Sequence, residues 1–340
     1  MILVLNCGSL SIKYKIFDLD LNLKQEFCFR FRKAPLREEY IKTLEKILRE
    51  IKSDKKIVKI GHRVVHGGEE FFEPQKIDKK TILKLKRISF LAPLHNPYNI
   101  AGIEIARKVF KNIPNFAVFD TGFFKNLPEV AKVYPLPKEI LKKFKIRRFG
   151  FHGISHEYLL LKASEKLNVS SKNLNLITCH LGGGASICAI KKGKPIDISM
   201  GFTPLEGVTM MTRSGDVDPG LLIFLVKKLG AEKVEEILNK KSGILALAGT
   251  ADMLEILDKA KKGNKKAKFA LEFFVYRIKK YIGAYFVLLK NIDAIVFSGA
   301  IGSGKKEIRR KIIRSLPFKV KTLAIPTDEE WMIAKKIKEF

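Results

Sequence analysis

The chain has 340 residues, 46% hydrophobic and 29% charged, and its formal net charge is +30. That length suits two domains with cores of their own, and no apolar run approaches a membrane span, so a soluble globular protein is expected. The charge raises nucleic-acid binding, but the lysines spread along helical faces (Lys79 to Lys86, Lys259 to Lys268, Lys305 to Lys311) without interleaved aromatic platforms, which reads as a solvated, heat-adapted surface that also attracts anionic substrates.

Ile2 to Leu5 reads as a strand, Asn6 to Ser11 as a polar turn, Ile12 to Phe17 as an alternating strand carrying Lys13, and Glu26 to Phe31 as a further strand. Four apolar residues before Asn6 are too few for a signal peptide. Cys7, Cys28, Cys179 and Cys188 have no metal-like spacing, so reduced thiols and a cytoplasmic location are expected. Arg37 to Ile51 is an amphipathic helix, and Val58 to Ile60 a strand running into Gly61-His62-Arg63-Val64-Val65-His66-Gly67-Gly68. Thr81 to Ser89 is helical, Ala92-Pro93-Leu94-His95-Asn96-Pro97 a turn that excludes helix, and Ile100 to Phe110 a helix. Asn115 to Phe119 is a buried strand ending at Asp120-Thr121-Gly122. An acid at the carboxyl end of such a strand is either at a ligand site or an N-cap for the next segment.

Phe149 to His156 opens a helix to about Leu167. Leu174 to Cys179 is a strand, His180 to Ser186 a turn built on Gly182-Gly183-Gly184, and Ile187 to Ile190 a strand. The triple glycine is either a plain hairpin or a turn whose amides face phosphate oxygens. Arg213, after an irregular Met/Gly/Pro-rich segment, favours the second. Residues 231–239, 250–262 and 265–289 are helices, Asp293 to Ser298 a strand, Gly299 to Gly304 a loop, and Lys305 to Ser315 a helix. Lys319 to Ile325 is the last strand and Asp328 to Lys338 the last helix. Gly299 to Lys306 nearly matches a phosphate loop, but Lys306 stands where a magnesium-binding hydroxyl is needed, which points to a nucleotide-contacting loop of another kind.

Two features bear on architecture and site. Strand, Gly/Ser turn, strand, turn, strand occurs near the N-terminus and again at residues 174–198, so two similar α/β domains are expected, each offering a glycine turn to one ligand between them. All six histidines (His62, His66, His95, His152, His156, His180) fall in glycine- or proline-bearing motifs. His62, His66 and His156 read as structural. The clustering fits a site that needs donors around a transferring phosphoryl group.

NCGSLSIKY, GHRVVHGGE, APLHNP, AVFDTGFF, RRFGFHGISHEYL, CHLGGGAS, DISMGFTPLEGVTMMTRSGDVDPG, YRIKKYIGAY and IPTDEEWMIA together resemble the acetate kinases, of the superfamily of acetate and sugar kinases, Hsp70 and actin. The resemblance covers nearly the whole chain, which is shorter than its family, trimmed between Asp18 and Ile60 and between Arg314 and Lys321. It implies a two-domain, actin-like (ribonuclease H-like) fold with a nucleotide cleft, the domains being 1–126 with 329–340, and 127–328. It also implies a cytoplasmic homodimer that makes acetyl phosphate and ADP from acetate and ATP with Mg2+ (or Mn2+), with no membrane or nucleic-acid partner. Position by position, Asp120 is then the catalytic carboxylate, and Arg63 and Arg213 hold the acetate carboxylate and the transferring phosphoryl group. His152 stabilises the transition state, and Asn6 and Glu329 serve the metal. Val65, Leu94, His95, Phe151 and Pro204 bind acetate. Ser9, Ser11, Lys13, His180, Leu181, Gly182, Gly183, Gly184, Asp252, Gly299, Ile301 and Gly302 bind the nucleotide.

Phosphoryl transfer needs in-line positioning and donors on the equatorial oxygens, and arginine meets such oxygens bidentately. Acetate is ionised already, so Asp120 is expected to orient rather than to take a proton. The departures from the family cluster on the nucleotide side. Gly183 replaces an asparagine, Leu254 an arginine, and Gly302-Ser303-Gly304 a Gly-Glu-Asn. They leave GTP or pyrophosphate open as donor, and propionate or butyrate is the rival acceptor. Butyrate kinases share the triple glycine but lack a TRSGDVDPG-type block. A nucleic-acid-binding protein and a non-catalytic actin-like switch are the rivals from other classes, and neither needs Arg63, Asp120 and Arg213.

Overall fold

The first strand, β1 (Ile2–Gly8), is apolar on both sides because both sides are covered. Leu3 and Leu5 join a core with Tyr40, Leu44 and Leu48 of the helix Arg37–Asp54, while Ile2 and Val4 join one with Ile333 and Ile337 of the helix Glu329–Lys338. The computed structural model describes residues 1–33, 35–314 and 316–340. It divides into two compact units: Met1–Lys125 with His152–Tyr158 and Asp328–Phe340, and Asn126–Phe151 with Leu159–Thr327.

The first unit holds a six-stranded sheet of β1 with β2 (Ser11–Phe17), β3 (Leu23–Arg30), β4 (Lys59–Val64), β5 (Gln75–Lys76) and β6 (Asn115–Phe119), in the order β3-β2-β1-β4-β6-β5. β1 to β3 form an antiparallel meander, and β1, β4 and β6 run parallel. The second unit holds β7 (Leu176–Leu181), β8 (Ala185–Lys191), β9 (Lys194–Ile198), β10 (Ala294–Ser298) and β11 (Thr322–Ala324), in the order β11-β10-β7-β8-β9. β7 to β9 are again an antiparallel meander, with β10 and β11 parallel beyond β7. The strand plan of residues 2–119 thus recurs at 176–324, which is the duplication expected from the sequence.

Local differences have physical causes. The hairpin after β1 is only Ser9-Leu10, so Asn6, Cys7 and Gly8 belong to the strand, and Asn6 pairs with Lys13. The segment expected to exclude helix begins one at Asn96: Pro97 occupies the first turn, where its missing N–H costs nothing. The helix expected from Phe149 begins at Gly153, because Gly150 and His152 adopt positive φ, 73° and 59°. Gly299–Gly302 is a short helical turn rather than a loop, and Pro219–Leu229 is a helix that no periodicity marked. The helix expected over Lys305 to Ser315 is observed as Lys306–Ile313, and Ser315 lies outside the described residues.

Candidate active site

In the first unit the central parallel strands end together. Arg63 lies on β4 one residue before Val64, whose carbonyl accepts from the Asp120 amide at 3.0 Å, so Asp120 emerges beside Arg63 at the carboxyl end of the sheet. The Arg63 Nη2 donates to Asp120 Oδ2 at 2.7 Å and Nε to Oδ1 at 3.1 Å. Nη1 meets Glu329 Oε2 at 3.1 Å and Asn6 Oδ1 at 3.5 Å. Asn6 Nδ2 in turn donates to Glu330 Oε1 at 2.8 Å. Asp328 caps the helix that carries both glutamates, accepting from the Trp331 amide at 2.9 Å, and pairs with Lys15 at 2.8 Å. Lys13 stands beside Asn6 as its cross-strand neighbour.

Asp120 is almost fully buried, at 1% exposure. Burial pushes its carboxyl above the ordinary aspartate range, against the pull of the Arg63 guanidinium and with a further push from Glu329. Burial works against the Arg63 charge too, but Asp120 and Glu329 more than offset it and its pKa rises. The arrangement is a fixed guanidinium held between two carboxylates and an amide. These oxygen donors suit a hard divalent cation. Among the described residues no three or more His, Cys, Asp and Glu side chains form a closed cage, so an ion here would complete its shell with water or phosphate oxygens.

His152 is tied to the same point. The Gly153 amide donates to the Asp120 carbonyl at 2.8 Å, and a Cβ on Gly153 would lie 2.2 Å from that oxygen, so only glycine lets the chain approach. Val65 and the Leu94-His95 turn are joined by two buried asparagines. Asn99 Oδ1 accepts from Val65 N at 3.0 Å and its Nδ2 donates to Cys7 O at 2.7 Å, while Asn96 brackets His66 by bonds of 3.1 and 3.0 Å. His62 is buried and neutral: Asn115 Nδ2 donates to Ile113 O, which leaves Oδ1 to accept from His62 Nε2 at 2.7 Å, and burial holds its pKa at about 4.

In the second unit β7 runs through His180 into Gly182-Gly183-Gly184, where Gly182 N donates to Gly184 O at 2.9 Å. A Cβ on Gly183 would meet nothing within 4 Å, so the fold does not require glycine there. Gly299 requires it: φ is 75° and a Cβ would lie 2.4 Å from Leu181 O, which sets the turn carrying Ile301 and Gly302 against the end of β7. Arg309 Nη1 closes that turn, donating to Gly302 O at 2.7 Å and Ser303 O at 2.6 Å. Asp252 caps the helix Met253–Lys261. The Met211 amide donates to Gly183 O at 3.2 Å, stitching the glycine turn to the segment that carries Arg213, and Arg213 Nη1 reaches Pro204 O at 3.3 Å. Burial holds the Arg213 guanidinium below the usual arginine range.

The first unit therefore gathers Asn6, Lys13, Arg63, Asp120, His152 and Glu329, with Val65, Leu94 and His95 alongside, and Ser9 and Ser11 at the neighbouring hairpin. The second gathers His180 to Gly184, Gly299 to Gly302, Pro204 and Arg213. Sequence reasoning missed Glu330, Asn96, Asn99 and Arg309. The two asparagines had a signal, since Asn-Pro-Tyr-Asn puts both on one face of a helix. Glu330 had none, its partner being Asn6.

A family model described as "Acetokinase family" matches residues 29–319. The acetate kinase of Thermoanaerobacter pseudethanolicus is 41% identical across 98% of this chain and 97% of its own. A crystal structure of Porphyromonas gingivalis acetate kinase superposes with a TM-score of 0.87 at 37% identity, covering 98% of both chains. One of a propionate kinase from Francisella tularensis superposes at 0.89 with 35% identity, again over 98% of both. The two-domain actin-like α/β fold expected from the sequence is the fold of these kinases.

Proposed function

The chain belongs to the acetokinase family, and from that premise we propose that it transfers the γ-phosphoryl group of ATP to acetate, reversibly, giving acetyl phosphate and ADP. The observation that carries the reading is the Arg63 guanidinium fixed by Asp120 and Glu329. Nε and one Nη2 N–H face Asp120 while Nη1 faces Glu329 and Asn6, which leaves the second Nη2 N–H and the fixed positive charge for a substrate oxygen, a geometry that a lysine does not reproduce. An acetate oxygen attacks the γ-phosphorus in line, the bond to the β–γ bridging oxygen breaks, and ADP leaves with the electron pair. No proton moves, so Asp120 serves as orienter of Arg63.

Arg63 and Arg213 bind the acetate carboxylate and the transferring group, with His152 and His180 as further donors. An anionic oxygen beside Arg213 offsets the burial of its charge. Val65, Leu94, His95, Phe151 and Pro204 receive the acetate. Ser9, Ser11, Lys13, the turn 181–184, Asp252, Gly299, Ile301 and Gly302 serve the nucleotide. Asn6 and Glu329 would hold Mg2+ or Mn2+, which when bound would neutralise charge on the phosphate oxygens.

ADP release coupled to a reporter enzyme tests this at elevated temperature with magnesium. Acetate-dependent turnover is expected, and none at saturating acetate sinks the proposal. The likeness to a propionate kinase favours one second reading, and a higher kcat/KM with propionate would move the assignment there. One methylene is worth only ~1–3 kcal/mol in an apolar pocket. Leu254 is 59% exposed and Gly183 carries no side chain, so base discrimination is expected to be weak. ATP and GTP should differ by less than about a hundredfold, since neutral hydrogen bonds to a nucleoside are worth ~0.5–1.5 kcal/mol each.

A second copy of the chain is the partner that best suits the helix Pro219–Leu229. None of its residues is buried, and Leu221, Ile223, Phe224, Val226 and Leu229 are all exposed. Among the described residues no helix is long and apolar enough to cross a membrane. Sedimentation should give a dimer that Phe224→Glu converts to monomer, and a wild-type monomer at micromolar concentration contradicts this. A cytoplasmic location suits the buried thiols of Cys7, Cys179 and Cys188, all pushed up by burial.

A further inference from the structure

Arg213 stands on an irregular segment between β9 and the helix Pro219–Leu229, and irregular backbone does not hold a guanidinium in place by itself. Two carboxylates bracket this segment. Glu206 Oε1 accepts from Arg148 Nη2 and Oε2 from the Tyr134 hydroxyl. Arg148 also donates to Ile198 O at 3.2 Å and Ala131 O at 3.1 Å, and the Tyr134 oxygen accepts from Phe202 N at 2.8 Å. The packing is close enough that a Cβ on Gly201 would lie 1.6 Å from Glu206 Oε2.

Ten residues further on, Asp216 closes the other end. Its Oδ1 accepts from Gly207 N at 2.7 Å while its own amide donates to Gly207 O at 2.9 Å, a reciprocal clasp across residues 207–216. Its Oδ2 accepts from the Tyr281 hydroxyl at 2.7 Å and lies 3.3 Å from Arg277 Nη2, both on the helix Lys265–Leu289. Inside the clasp, Thr209 Oγ1 donates to Ser214 O at 3.0 Å and Met210 N to Arg213 O at 3.1 Å. Gly215 has φ 69°, and a Cβ there would be 2.5 Å from Gly207 O. The clasp thus ties the Arg213 loop to the long helix, and Glu206 ties the same loop to residues 131–148.

We propose that Glu206 and Asp216 are positioning residues: each anchors one end of the Arg213 loop through a guanidinium and a tyrosine hydroxyl, and together they set the rate of transfer without touching either substrate. The inference rests on the role given to Arg213 above. Neither residue's ordinary reading as a surface ion pair accounts for the reciprocal backbone clasp or the excluded Cβ at Gly201.

The test is a mutant cycle on the full chain in the acetate-dependent ADP-release assay. Asp216→Ala and Glu206→Gln should each lower kcat by about 10- to 100-fold, because a misplacement of about 1 Å costs on the order of 10² in rate, and shift the acetate KM by less than about threefold. Asp216→Asn, which keeps an acceptor for Gly207 N, should recover part of the loss. In an Arg213→Ala background the same changes should cost less than about twofold, since there is no guanidinium left to position. General loosening of the fold would not give that dependence on Arg213. Should Asp216→Ala fail to fold, Tyr281→Phe removes one hydroxyl and should lower kcat about threefold, again only when Arg213 is present. The proposal is overturned if these variants keep wild-type kcat, or if their losses multiply in full with that of Arg213→Ala. A wild-type rate for Arg213→Ala alone would instead overturn the role of Arg213 itself.

Discussion

Replacing Arg63 should have two separable consequences, because the side chain has two kinds of neighbour. It donates to Asp120 at 2.7 and 3.1 Å and meets Glu329 at 3.1 Å, with Asp120 almost wholly buried. Arg63→Ala therefore leaves an uncompensated buried carboxylate near another, a situation that costs ~3–5 kcal/mol. Removing Asp120 as well takes the stranded charge away. The double variant Arg63→Ala, Asp120→Ala should accordingly be more stable than Arg63→Ala alone, with an interaction of ~1–3 kcal/mol in a denaturant-unfolding cycle. On activity, loss of one preorganised cation is expected to lower kcat by ~10²–10³. Arg63→Lys should recover only part of it, since one ammonium cannot span Asp120, Glu329 and Asn6 together. The assays are urea unfolding and acetate-dependent ADP release at saturating substrates. Additive stability changes across the cycle, or an alanine variant within about threefold of wild-type turnover, would refute the reasoning.

His62 should make stability pH-dependent. Its folded pKa of about 4 lies below the ordinary histidine value of 6.5, so the neutral form is the one the fold accepts. Its contribution is fully present above pH 6.5 and is lost as the pH falls towards 4, by up to ~3 kcal/mol. His62→Gln should remove that part of the slope between pH 7 and 4.5, and an unchanged slope counts against it. Gly183→Asn should fold normally and stay within about threefold of wild-type turnover, since a Cβ there meets nothing within 4 Å. Gly299→Ala should instead lower the unfolding free energy by ~1–3 kcal/mol, from strain at positive φ and the contact with Leu181 O; equal stability of the two variants would contradict the account.

The repeated strand plan was legible because alternation and glycine turns are local signals, and residues 2–17 and 176–198 carry both. Family resemblance pointed to Arg63, Asp120 and Glu329, which the fold brings into contact, and Asp120 also stands where a buried strand ends. Reading Asn6 to Ser11 as one turn failed because the polar Asn6 has its side chain bonded to Glu330, far away in sequence, so a buried amide in a strand looked like turn chemistry. Pro97 misled because a proline that breaks a helix interior is at home in the first turn. The helix Pro219–Leu229 gave no periodic signal because it buries no residue in this chain. The supports of the site (Glu330, Asn99, Glu206, Asp216) depend on partners that only the fold brings near.

The most direct test of the central claim is to follow the purified chain with ATP, magnesium and acetate by 31P NMR. The account predicts that acetyl phosphate and ADP appear in equal amounts, with ADP formation dependent on acetate. ATP hydrolysis to inorganic phosphate at the same rate with and without acetate, and no acetyl phosphate signal, would contradict it.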